Sequence, residues 1–250
     1  MIWRSILLAS TLLLTGACQD MGPAQTNWSL PTGGATIYSV CANSPTDTTT
    51  ASCSLSVNTG DTILVWTDNN QLSSLSDSAG NTLTLIGSAV SYYQAWYIVN
   101  ATSGTHTITA NFASGQTWQV IQVADITGAA TSSPIDVYAL TDTASSSGVG
   151  DWSDGPITTT VAGDAVIGFG LASSSTATND DIAGAVYQPF DAVSGITYSP
   201  YGYTYATAYS SQGYVNSATV GSYTFVGTTQ ATCYSSTCPA VFAEVVAVKP

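Results

Sequence analysis

Basic side chains are almost missing from this sequence of 250 residues: Arg4 and Lys249 stand against fifteen acids, for a net charge of −13. Without a basic patch there is nothing to pair with a phosphate backbone, so nucleic-acid binding is excluded. Anionic lipid surfaces and acidic polysaccharides are disfavoured for the same reason. Imidazole is as scarce. The sole histidine, His106, falls within Thr105-His106-Thr107-Ile108-Thr109, and no Gly-x-Ser-x-Gly elbow occurs, so a nucleophilic triad has no base to use. His106 reads as an incidental strand residue sharing a face with Gly104, Ile108 and Ala110. The sole glutamate, Glu244, lies in an apolar run where desolvation raises a carboxyl pKa. Paired with Asp125 it is the one hydrolytic arrangement on offer, against the plainer reading of a lone buried acid bonded to backbone or tyrosine hydroxyl. Only 7% of residues are charged, so the surface has to be built from Ser, Thr, Asn, Gln, Tyr and Gly, as in extracellular β proteins.

What is present begins with an export signal. Arg4 supplies a positive start, and Ile6 to Leu14 is apolar but too short to span a bilayer. Thr15, Gly16 and Ala17 follow, then Cys18, an order that resembles a bacterial lipoprotein signal. It departs from that pattern at Thr15, where leucine is usual, with Leu14 one position further back. The expected organisation is a signal peptide over 1–17, a lipidated Cys18, a flexible Gly/Pro-containing tether over 18–33, and one β-sandwich domain over 34–250. An ordinary secretory signal cut near Ala17 is the alternative. Either places the domain outside the cytoplasm. With lipid on Cys18 it is membrane-anchored at the cell surface or in the periplasm, and touches the membrane only through that lipid. Loss of Arg4 with the signal moves the net charge from −13 to −14.

Setting Cys18 aside leaves Cys41, Cys53, Cys233 and Cys238, an even set with three pairings. The spacings of twelve and five fit no zinc-knuckle pattern, and an oxidising compartment favours disulfides. The sequence-local pairs Cys41–Cys53 and Cys233–Cys238 are expected.

After the tether, Val, Ile, Thr, Tyr and Trp dominate and turn residues recur every 8–15 positions, which predicts an all-β fold. The expected architecture is a single two-sheet antiparallel β-sandwich of jelly-roll type. Strands are predicted over 35–41, 51–57, 62–66, 82–86, 93–99, 106–112 and 118–126. A second set is predicted over 157–161, 165–171, 197–205, 222–226 and 241–248, with a Ser/Gly-rich loop over 143–156 between them. The two sets echo each other: Gly60-Asp61 and Gly163-Asp164 each open an apolar strand, and each half has a Gly-led strand, at Gly104 and Gly221. Duplication and convergent strand composition both account for this. The last strand is apolar on both faces except at Glu244, so it is central and packs between neighbours.

These residues carry a resemblance. Gly60-Asp61, Asp77-Ser78-Ala79-Gly80-Asn81-Thr82-Leu83-Thr84, Gly104 to Thr109, Ser133-Pro134-Ile135-Asp136-Val137, Gly163-Asp164 and the closing Ala247 to Pro250 follow the order of a known family. It is similar to secreted β-sandwich domains of large bacterial surface proteins, often found beside immunoglobulin-like repeats. The resemblance covers nearly all of the chain after the tether. It implies a jelly-roll-like, non-catalytic surface domain and carries over no binding residue. The chain departs from the family in standing alone as a lipoprotein and in its Tyr-rich stretch.

Two further features point to ligands. Oxygen-rich clusters at Asp68-Asn69-Asn70, at Asp151 and Asp154, and at Asn179, Asp180 and Asp181 are expected in loops, the last being the best candidate for a structural Ca²⁺. No cofactor is otherwise required, and Asx-rich turns account for such clusters equally well. Tyr201, Tyr203 and Tyr205 recur with period 2 and would line one strand face, as tyrosines do on glycan- and protein-binding surfaces. The functional expectation is a surface-anchored, non-catalytic binding or adhesion module for a neutral polysaccharide or another surface protein. The alternatives are a structural protein that self-associates through its sheet edges and, third, a carbohydrate hydrolase.

Overall fold

The computed structural model describes residues 33–43, 49–68, 72–88, 93–113, 120–144, 150–173, 177–183, 194–198, 206–229 and 240–250. Every regular element among them is a strand, and every pairing is antiparallel.

The first eight strands are β1 (Thr36–Asn43), β2 (Thr50–Val57), β3 (Thr62–Asp68), β4 (Leu72–Asp77), β5 (Thr84–Leu85), β6 (Tyr93–Ile98), β7 (Gly104–Phe112) and β8 (Ile121–Thr127). They form a five-stranded sheet in the order β1-β8-β3-β6-β5 and a three-stranded sheet in the order β2-β7-β4. The next eight are β9 (Ile135–Ala144), β10 (Gly150–Thr158), β11 (Asp164–Ser173), β12 (Ala177–Ala183), β13 (Ser194–Tyr198), β14 (Ala206–Ala218), β15 (Ser222–Thr229) and β16 (Ala240–Val248). Their sheets run β13-β14-β11-β16-β9 and β10-β15-β12. Adding eight to each strand number of the first half reproduces the second half, strand for strand. The echo between Gly60-Asp61 and Gly163-Asp164 is therefore part of a repeat that includes every strand.

The all-β antiparallel sandwich expected from sequence is what the chain adopts, built from four sheets where two were expected. Three apolar layers order them. Ile63, Val65, Ile121 and Val123 of the first five-stranded sheet pack on Leu55, Ile108 and Phe112 of the first three-stranded sheet. Val166, Val245 and Ala247 meet Tyr223 and Phe225 in the same way in the second half. Between the two five-stranded sheets lie Leu64, Trp66, Ala124 and Ile126 on one side and Ile167, Phe169, Val246 and Val248 on the other. The five-stranded sheets are thus inner layers and the three-stranded sheets outer ones. An inner strand must be apolar on both faces, which is the pattern seen in β8 and β16.

Details repeat with the topology. Gly60 and Gly163 hold φ of 93° and 98°, and their amides donate to the carbonyls of Ala101 (2.9 Å) and Ala218 (2.8 Å). A Cβ at a positive φ costs about 1 kcal/mol or more, so each Gly-Asp step is a glycine-dependent entry into the central strand. One extra residue bulges from β1 between Ile37 and Ser39, and one from β9 between Ile135 and Val137. Those matching bulges carry Tyr38 and Asp136.

The disulfide Cys41–Cys53 is formed and ties β1 of an inner sheet to β2 of the outer one. Cys18, Cys233 and Cys238, the signal over 1–17 and the tether up to residue 32 lie outside the described residues. Six strands depart from the sequence expectation. β4, β9 and β12 were not expected, and β9 and β10 extend into the predicted 143–156 loop. The predicted 197–205 strand is replaced by β13 and β14 on either side of residues outside the described set.

Candidate functional site

The outer face of the β2-β7-β4 sheet is built almost wholly of hydroxyls. Strand alternation sends Ala51, Cys53, Leu55 and Val57 inward and leaves Thr50, Ser52, Ser54 and Ser56 outside. On β7, His106, Ile108, Ala110 and Phe112 point in, and Thr105, Thr107, Thr109 and Asn111 point out. β4 adds Ser74 and Ser76. The register sets these in ranks: Thr50, Asn111 and Ser74; Ser52, Thr109 and Ser76; Ser54 and Thr107; Ser56 and Thr105. Within the ranks, the Thr50 hydroxyl donates to Asn111 Oδ1 (3.1 Å), Asn111 Nδ2 donates to Ser74 Oγ (3.0 Å), and the Ser54 and Thr107 hydroxyls share a bond of 2.9 Å. Short side chains bonded to each other lie flat, and no charged or aromatic residue stands among these positions. The spacing is that of the sheet, about 4.8 Å between strands and about 6.7 Å between alternate residues of one strand.

Behind that face lies His106, 1% exposed. Its Nδ1 sits 3.0 Å from Asp77 Oδ2, and its Nε2 is 2.7 Å from the Thr102 carbonyl. Asp77 also accepts from the amides of Ala79 (3.2 Å) and Asn81 (3.4 Å) and from Asn81 Nδ2 (2.7 Å). Burial raises the Asp77 pKa, but the Asn81, Ala79 and His106 bonds outweigh it and hold the group below its ordinary value. Both ring nitrogens of His106 face acceptors within the protein, and the ring is shut off from any substrate by burial. The repeat supports a structural role. By register Tyr223 stands where His106 does, and its hydroxyl donates to the Thr219 carbonyl at 2.7 Å, again four residues back. Ile182 of β12 stands opposite Phe225 as Asp77 stands opposite Ile108. One half closes its β6–β7 turn with an imidazole beside an acid, the other closes its β14–β15 turn with a phenol. The sequence reading of His106 as incidental is therefore corrected: it ties β7 to the 77–81 turn. The signal for this was the Asp77-Ser78-Ala79-Gly80-Asn81 turn, but nothing local joins it to a histidine 29 residues on.

Two carboxyl pairs mark the ends of β3 and β11. Asp61 and Asp125 are 3% and 0% exposed, and Asp164 is 0% exposed beside Asp136. Asp61 Oδ2 accepts from the Asn58 amide (2.9 Å) and Nδ2 (3.1 Å), and Asp136 accepts from the Thr160 amide (2.6 Å) and hydroxyl (2.5 Å). Among the described residues, no N–H or O–H donates in good geometry to either oxygen of Asp125 or Asp164. Burial, then the neighbouring Asp61, pushes Asp125 up to about 8, with only the nearby Ile126 amide opposing. Burial and Asp136 push Asp164 up to about 7 against the pull of Lys249. Retaining glycosidases hold their carboxyls about 5–5.5 Å apart with sugar between them. Asp125 and Asp164 are each 0% exposed, so neither is open to a sugar in this arrangement.

The pair Glu244 and Asp125 is not brought together. Glu244 shares a face with Val246 and Val248 and looks into the central layer, opposite Phe169 in the ladder. Asp125 lies on the face of β8 away from Ala124 and Ile126. Tyr201, Tyr203 and Tyr205 lie outside the described residues. Asn179, Asp180 and Asp181 belong to strand β12, with a register irregularity between Thr178 and Asp181, so the loop expected there is a strand. Asp151 and Asp154 likewise lie in β10. Among the described residues no three His, Cys, Asp or Glu gather round a common point. The hydroxyl face was missed because the sequence reading weighed aromatics and acids. Its signal is the run of Ser and Thr at alternate positions in both β2 and β7.

Comparison with family profiles, with curated proteins and with solved structures returned no match.

Proposed function

We propose that this chain is an exported, surface-anchored, non-catalytic binding module that takes a neutral polysaccharide on the outer face of the β2-β7-β4 sheet. The observation that carries the reading is the flat, uncharged array of hydroxyls on three paired strands. Such a face offers donors and acceptors at a regular repeat, repels no uncharged polymer, and loses little side-chain entropy on binding because Ser and Thr are short and already bonded to each other. A body with one basic side chain after signal removal offers little to an anionic chain.

The test is binding of the mature protein to a panel of insoluble and soluble neutral polysaccharides. Wild type is compared with a Ser54→Ala/Thr107→Ala/Thr109→Ala variant and with Tyr201→Ala/Tyr203→Ala/Tyr205→Ala. Binding that drops at least tenfold in the hydroxyl variant, with melting temperature retained, supports the reading. Loss confined to the tyrosine variant moves the site to that segment. Failure of the wild type to retain any polymer on the panel overturns it.

A further inference from the structure

The two carboxyl pairs carry an inference that does not depend on the ligand. In each, one member is held by donors and the other meets none in good geometry. Asp61 takes two bonds from Asn58, and Asp136 takes two from Thr160. Their partners, Asp125 and Asp164, are fully buried and meet no donor in good geometry. A buried carboxylate with no donor is costly, whereas the same group protonated donates its own hydrogen to the acid beside it. The arrangement occurs in both halves with different supports. Asp61 and Asp164 occupy the same place after Gly60 and Gly163, but the partner comes from β8 in one half and from the β9 bulge in the other. The groups facing the first pair are Asn58 in the turn before β3, with Ile63 on β3 and Ser39 on β1 opposite Asp125. Thr160 and Lys249 face the second.

We infer that each pair is a latch closed by a single shared proton, and that together they suit this molecule to an acidic exterior medium, with the fold loosening as the medium turns neutral and then alkaline.

Composition fits: fifteen acids and two bases give mounting self-repulsion above the carboxylate range and little below it. The direction follows from proton counting. Between about pH 4, where an unfolded aspartate ionises, and the folded values of about 7 for Asp164 and about 8 for Asp125, the folded chain holds protons that the unfolded chain has released. Stability therefore falls as pH rises through that window and levels off above it.

The test uses the whole mature chain in 1 M salt, which screens long-range repulsion more than it screens the contact within each carboxyl pair. Thermal unfolding is followed from pH 5 to pH 9 for wild type, Asp125→Asn and Asp164→Asn. An amide keeps a hydrogen for the partner acid and has nothing to titrate. Wild type is expected to lose on the order of 5–10 °C across the range, and each variant to lose less, with a melting temperature at pH 9 equal to or above that of wild type. Infrared difference spectra of the wild type supply a second reading: a protonated carboxyl C=O band at pH 6 that disappears by pH 9. A flat wild-type profile in high salt, an unchanged slope in both variants, or no such band at pH 6 would each overturn the inference.

Discussion

Trp66 and Phe169 occupy the same position in the two halves of the chain and stack on one another, ring centroids 6.3 Å apart and planes 4° apart. Each follows its Gly-Asp step by five residues, each is fully buried, and each sits in a central strand beside an amide or acid of the neighbouring last strand, Gln122 or Glu244. Tyr93 extends the stack on the Trp66 side at 4.7 Å. The middle of the molecule is thus a contact between two copies of one position.

Truncating either ring opens a cavity in that layer. Trp66→Ala and Phe169→Ala are each expected to lose about 3–5 kcal/mol. The double variant should lose less than the sum by about 0.5–1.5 kcal/mol, the share belonging to the stacked pair itself. Urea unfolding of the four proteins in the cycle measures both quantities.

The acid–imidazole pair and its phenol counterpart predict an exchange. His106→Ala removes the ring that bonds Asp77 and the Thr102 carbonyl, and is expected to cost about 1–3 kcal/mol. Asp77→Ile with His106→Tyr gives the first half the residue types that the second half has at the same register positions, 182 and 223. It should restore most of that loss, since replacing both partners of a buried polar contact together can be nearly neutral. Chemical denaturation of wild type, single and double variants decides between recovery and further loss.

Acid limits the fold by a different route. Burial acts to raise Asp77 and Asp136, but their hydrogen bonds prevail and both titrate below the ordinary carboxylate value. A lowered folded value means stability that is complete above about pH 4 and is lost as the pH falls through the folded value. Thermal unfolding between pH 5 and pH 2 should show this loss, and Asp77→Asn or Asp136→Asn should make the slope shallower. Together with the proton latches, maximal stability is expected near pH 4–5.

Cys41–Cys53 closes a loop of twelve residues between two layers. Reduction, or Cys41→Ser with Cys53→Ser, is expected to cost on the order of 2–3 kcal/mol. Melting with and without reductant reads this directly.

Much of this architecture was legible where a rule of alternation applied. β2, β3, β7 and β8 begin and end within a few residues of expectation, and the two apolar faces of β16 announced a strand sandwiched between layers. The Gly-Asp echo was visible, but strand count hid the exact repeat. β4, Leu-Ser-Ser-Leu-Ser-Asp, buries little and has no β-branched residue, so it reads as loop until its partner β7 supplies the ladder. β14 carries Tyr, Ser, Gln and Gly and looked like a solvent-facing elaboration. In place, it is the neighbour of β11, with Tyr214 half-buried against the central layer, where burial raises its phenol pKa. The carboxyl pairs were not legible, because each joins residues far apart in sequence that only the fold brings near each other.

The repeat has a consequence in dilute solution. Two like halves meeting through an apolar face would, as separate chains, come apart when diluted. Here residues 128–134 join them, so each half sees the other at a local concentration fixed by a seven-residue leash rather than by the amount of protein present. The pairing therefore survives any degree of dilution.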